Sequence, residues 1–170
     1  MTPLESKRSH AGDRTGGASG RTEGTHGTNE RGQPILQVLD AYKAAVLAKD
    51  VEGFVALYDQ DVCVYDMWGQ WSYDGVTAWR GMVADWFGSL SNERVAIEMD
   101  DVRVLIADDL AVAHAFVTFK GLSVEGNELR SMTNRLTWTL QRADDGVWRV
   151  VHEHTSAPID FQTSKVLLQR

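Results

Sequence analysis

Four runs of strand-forming residues follow one another with no helical pattern between them: "VAIEMDDVRVLIA", "LAVAHAFVTFKGL", "LRSMTNRLTWTLQRA" and "VWRVVHEHTSA". Short turn signals separate them: "DD" at 108–109, "VEGNE", and "DDG" at 144–146. Strands joined by turns this tight pair antiparallel, so the second half of the chain reads as a meander. The first run breaks its alternation near Asp100-Asp101, as a strand with a bulge would. Pro158 ends the last.

Helical patterns come earlier. Ile35, Val38, Leu39, Tyr42, Ala45 and Val46 recur at three- and four-residue spacing behind Pro34, which suits a first helical turn. Asp50 reads as the cap of a short second helix, with Gly53 a weak point inside it. Val62 to Tyr65 reads as a strand, and "MWGQWSYDG" as a loop. Asp74 reads as the cap of a third helix to about Leu90, with Trp79, Met82, Val83, Trp86 and Phe87 as its apolar stripe. Helices first and consecutive strands later argue an α+β fold. The expected architecture is a cone-shaped, strongly curved antiparallel sheet with three N-terminal helices packed on its concave face.

Residues 1–33 offer almost nothing to bury and read as a disordered polar arm. His10 and His26 lie in it, too far apart for a designed metal site. Residues 34–162 make one domain and 163–170 a C-terminal tail. The chain of 170 residues carries a net charge of −7. That charge argues against a nucleic-acid partner, because phosphate binding needs a basic face. Its single cysteine, Cys63, excludes an internal disulfide framework and reads as a small packed hydrophobe. The N-terminal stretch lacks an apolar run of signal-peptide length, and no later run is long enough to span a bilayer. A soluble cytoplasmic protein with no membrane partner is expected.

The element order resembles the nuclear transport factor 2-like superfamily and, more narrowly, a SnoaL-like domain. The pieces that carry the likeness are "YKAAVLAKDVEGFVALYDQDV", the "YDG" that opens a helix bearing Arg80, and the closing "WRVVHEHTSAP". The likeness covers about residues 34 to 160. Similarity to ketosteroid isomerase, in which carboxyl groups are tuned by their surroundings, implies a catalytic tyrosine at Tyr42 and a general base at Asp66. Its second oxyanion donor, an aspartate, has Asn134 as nearest counterpart, a departure that argues against a steroid substrate. Similarity to the association domain of calcium/calmodulin-dependent protein kinase II touches His152, His154 and Arg135, and implies assembly without catalysis.

The residues themselves leave alternatives open. Asp66, beside Met67 and Trp68, is a general base with a raised pKa or a strand-end cap. Tyr42 is an oxyanion donor or a core residue. His152 and His154 lie two apart on a strand, on the face of Trp148 and Val150, which suggests that they look inward. His114 alternates with Val112 and Phe116 and could join them. Three histidines facing one cavity form an acid–base set, a zinc or iron site with Asp66, or structural groups at a pocket rim. Arg135 either forks onto a ligand carboxylate from inside or sits outside as a rim charge.

Trp68, Trp71 and Tyr73 sit on the loop that would rim the cavity and could bind a planar ligand. Trp79, Phe116 and Trp148 complete the ligand-binding set. Glu153 and Asp160 read as ordinary surface charges. Thr133, Thr137, Thr139, Val117 and Phe119 supply a plausible homodimer surface. The expected function is cofactor-free, metal-free isomerisation, dehydration or cyclisation of a small hydrophobic carbonyl compound. The alternative is a non-catalytic ligand-binding or oligomerisation domain.

Overall fold

A computed structural model describes residues 30–170. Most of the expected polar arm, with His10 and His26, lies outside the described residues. Glu30–Gly32 form one 3-10 turn that leads into α1 (Gln33–Ala48). One face of α1 is buried through Ile35, Leu39, Tyr42, Ala45 and Val46, the residues of its apolar repeat. The helix stops at Lys49, which adopts a left-handed φ of 54° and donates from Nζ to the Ser91 carbonyl at 2.7 Å.

Helix α2 (Val51–Val55) follows at once. The Asp50 carboxylate accepts the Gly53 N–H at 2.9 Å, as the cap reading expects. The cap also accounts for the glycine, since a Cβ there would lie 2.4 Å from Asp50 Oδ2. Asp50→Ala is expected to lower stability by about 1 kcal/mol in urea denaturation. A loss well beyond that would show the carboxylate to hold more than the helix end.

Helix α3 (Val76–Ser89) is capped differently from the sequence expectation. Asp74 belongs to the short strand β2 (Tyr73–Asp74), and Gly75 is the cap residue. Gly75 turns the chain at φ 82°, a conformation open to glycine, while its N–H reaches the Val62 carbonyl at 2.7 Å.

The remaining strands are β1 (Tyr58–Tyr65), β3 (Arg94–Ala107), β4 (Leu110–Leu122), β5 (Glu128–Arg142) and β6 (Trp148–Ser156). They form one six-stranded sheet in the order β2-β1-β6-β5-β4-β3. Strands β3 to β6 make the antiparallel meander, and β1 joins β6 in parallel, so the α+β sheet is mixed. The expected bulge in β3 is present, between Asp100 and Arg103, with Asp101 at φ 53°. A second lies in β6: Leu140 pairs with Val150 and Thr139 with His152, which leaves Val151 over. Bulges of this kind bend a sheet and strengthen its twist.

The helices cover the concave face. The core there is aromatic: Phe54 touches Tyr42, Tyr58, Trp79 and Phe87, with ring centroids 5.0–6.3 Å apart. Val117 and Phe119, expected on the outer face, point into this core instead, because the inward residues of β4 run Ala111, Ala113, Ala115, Val117. Cys63 lies half-buried between the inward Val62 and Val64. After β6 the chain folds back through an Ile159–Val166 bridge, and the Leu168 carbonyl accepts the Thr133 N–H at 2.8 Å. The tail thus takes the place beside β5 that β6 vacates after Ser156. No helix among the described residues is long and apolar enough to cross a membrane.

Candidate active site

A cavity of about 560 Å³ lies between the helices and the concave face. Trp79, Met82 and Trp86 of α3, Val95 and Phe119 of the sheet, and Leu168 of the tail make its apolar wall. Its polar side groups are Tyr42, Asp66, Asn134, Glu153 and Thr155, with Arg130 and Ser131 also lining it. Arg130 is paired with Glu93.

Asp66 stands where β1 ends. Thr155 Oγ1 donates to its Oδ1 at 2.7 Å and itself accepts the Met67 N–H at 2.8 Å. The Trp68 N–H reaches Oδ2 at 3.3 Å. Burial pushes the Asp66 carboxyl above its usual range, and these hydrogen bonds pull it part of the way back. The side chain is therefore both a strand-end cap and a cavity carboxylate.

Tyr42 is buried and comes from the middle of α1. Desolvation holds its phenol well above the usual value, reinforced by the charges of Glu153 and then Asp66. It remains a hydrogen-bond donor across the ordinary pH range. Tyr42 and Asp66, predicted as a pair, line the same cavity, together with Trp68, Trp79 and Asn134.

Glu153 is the residue that sequence reasoning missed. It is only 2% exposed. Tyr58 O–H donates to its Oε2 at 2.6 Å, and Trp138 Nε1–H donates to the same oxygen at 2.8 Å. Desolvation raises its pKa to about 7 against those two hydrogen bonds, with a further upward push from Asp66. The signal that could have found it is the bulge at Val151. Trp148 and Val150 lie on the core side, the extra residue flips the alternation, and Glu153 and Thr155 turn inward after it.

The same flip corrects the expectation for the histidines. His152 and His154 lie on the outer face, edge-on to Tyr65. His152 Nδ1 is 2.9 Å from the Cys63 carbonyl oxygen. His114 pairs with Arg103 and Thr137 and is exposed on that face too. Arg135 is likewise exposed and points away from the cavity. Phe116 lies under the Arg170 guanidinium at 3.8 Å, and Trp148 packs beside Arg142. Trp71 is 98% exposed, along an outer groove that Asp66, Tyr65 and His154 also border. Among the described residues, no group of three or more His, Cys, Asp or Glu side chains is placed to hold a metal ion. Asp160 accepts two hydrogen bonds from Thr163 in the tail.

Asn134 carries a further mark. Its Nδ2 reaches Met67 Sδ at 3.5 Å, while its Oδ1 is buried with no partner among the described residues. An unmet buried acceptor costs roughly 1–3 kcal/mol, a deficit that a ligand donor would remove.

The fold recurs in proteins of several kinds. The chain is similar to an NTF2-like protein of unknown function from Pseudomonas putida, at 27% identity and a TM-score of 0.72, over 82% of this chain and 95% of that one. It shares its fold with ActVI-ORFA from Streptomyces coelicolor at 12% identity and a TM-score of 0.68, over 75% and 97% of the two chains. A candidate calcium/calmodulin-dependent protein kinase II association domain from Xanthomonas campestris is 19% identical with a TM-score of 0.62, over 77% and 90%. No curated protein matches the chain. Residues 35–160 match the family model of the SnoaL-like domain. With its α+β cone and its NTF2-like relatives, the chain belongs to the SnoaL-like family.

Proposed function

We propose that the protein is a cofactor-free proton-transfer enzyme, an isomerase, dehydratase or cyclase, that acts on a small hydrophobic carbonyl compound. One observation carries the reading: a carboxylate and a phenol, Asp66 and Tyr42, line one cavity whose walls are largely aromatic and aliphatic. A carboxylate with a raised pKa is a stronger base towards a carbon acid than a solvated one. A phenol that stays protonated offers a hydrogen bond to the oxygen where charge develops. The walls suit a flat apolar body and exclude water from around the reacting atoms.

Calorimetric titration with 2-naphthol, a planar phenol shaped like an enol, tests the pocket. Binding is expected to saturate, and Tyr42→Phe to weaken it about tenfold, the worth of one hydrogen bond in such a site. An affinity indifferent to Tyr42 would sink the oxyanion role. The competing reading, a non-catalytic domain, draws on the fold shared with the association-domain candidate. On that reading the outer sheet face makes the homodimer, and substitutions in the cavity leave assembly unchanged.

A further inference from the structure

The structure assigns Glu153 as the acid of the cavity, which hands a proton to the carbonyl oxygen while Asp66 takes one from carbon, so that the intermediate is a neutral enol. This rests on the proton-transfer reading above and names a second reacting group within it.

The geometry of the carboxyl carries the argument. Both hydrogen bonds it accepts end on Oε2. No donor among the described residues engages Oε1, and Glu153 lines the cavity. A proton carried by this carboxyl therefore sits on Oε1, on the cavity side. The charged and titratable groups that face it are Tyr42 from α1, Tyr58 from β1 and Asp66 beyond β1. From β5 it meets the neutral Trp138. None of these is a cation, so only the hydrogen bonds from Tyr58 and Trp138 favour a second negative charge beside Asp66.

The step balances. The Asp66 carboxylate uses an oxygen lone pair to take the α-proton. The C–H pair becomes the new C=C bond. The carbonyl π pair takes the proton from Glu153 Oε1, and the O–H pair stays on Glu153, held by Tyr58 and Trp138. Two protons move, and one negative charge passes from Asp66 to Glu153. An enolate would instead leave that charge on the substrate oxygen, where the one cation of the lining, Arg130, is already paired with Glu93. The two carboxyls also time each other. While Asp66 is ionised it holds the proton on Glu153, and once Asp66 is neutral Glu153 becomes the stronger acid. Asp66 then gives its proton to another carbon of the enol while the enol O–H returns its proton to Glu153, which completes an isomerisation and resets the pair.

The test is α-deuterium exchange into 2-tetralone in D₂O, followed by NMR across the pH range, with the full chain. Wild-type exchange is expected to fall above about pH 7 as Glu153 ionises. Glu153→Gln, which keeps the shape and accepts both donors, is expected to lose at least tenfold in rate and to lose that alkaline limb. Tyr58→Phe removes a bond to the charged form, so it should move the limb to higher pH, and it serves if the glutamine variant does not fold. A protonated-carboxyl infrared band near neutral pH, absent from Glu153→Gln, is the accompanying signature. Exchange that needs Asp66 but is unchanged in rate and pH profile by Glu153→Gln overturns this inference alone. A wild-type protein that never exchanges the ketone overturns the enzyme reading and this inference with it.

Discussion

Asp66→Asn is expected to slow deuterium exchange into 2-tetralone by about 10²- to 10⁴-fold, the usual contribution of a positioned general base. The substitution is close to isosteric. The amide oxygen can still accept from Thr155, which holds one native carboxylate oxygen at 2.7 Å, and only the longer 3.3 Å bond from the Trp68 N–H to the other oxygen is lost. The fold should therefore survive, with a stability change of no more than about 1 kcal/mol. What is lost is the lone pair that takes a proton from carbon. Binding of 2-naphthol is expected to persist, because the apolar wall and Tyr42 are untouched. A variant that binds and folds but exchanges at the wild-type rate would remove Asp66 from the chemistry. One that unfolds would show its bonds to the β6 threonine to be structural first.

The second large effect is on stability. Glu153 is held near pKa 7 in the folded protein, against 4.5 for an ordinary glutamate. The folded state therefore binds the proton more tightly than the unfolded chain. Its contribution is fully present below about pH 4.5 and is lost as pH rises to about 7 and beyond. At about 1.4 kcal/mol for each tenfold difference in proton affinity, the loss approaches 3 kcal/mol. Glu153→Gln cannot ionise. It is expected to match the wild type near pH 4 and to exceed it by up to about 3 kcal/mol at pH 8.5, measured by urea denaturation at both pH values. Taking the difference between the two proteins cancels the titration of every other carboxylate. A variant less stable at both pH values would show that the amide does not fit between Tyr58 and Trp138.

The order of elements was legible because each strand end carries a turn signal and each helix a repeat. Even the β3 bulge could be read, since Asp100 and Asp101 break the alternation with two charges. The bulge at Val151 could not. Valine fits either face of a strand, so "RVVHEH" shows no break in pattern, and plain alternation runs straight through it. That one step displaces His152, His154 and Glu153 together. The pairing of Asp66 with Tyr42 in one cavity comes from family likeness. Spacing alone leaves them 24 positions apart. Asn134 rests on the same likeness. Its amide nitrogen meets Met67, a contact no local pattern encodes.

The extra residue in β6 also bears on how such a site changes during descent. Pairing Val151 in line with its neighbours, with no residue left over, would instead restore plain alternation from Trp148 onward. His152 and His154 would then turn to the cavity, and Glu153 and Thr155 to the outside, with the first half of the strand in place. A carboxyl-lined pocket and an imidazole-lined pocket are thus two registers of one strand, separated by a single bulge. Relatives that lack the bulge here need not share a reaction, however similar the rest of their sequence.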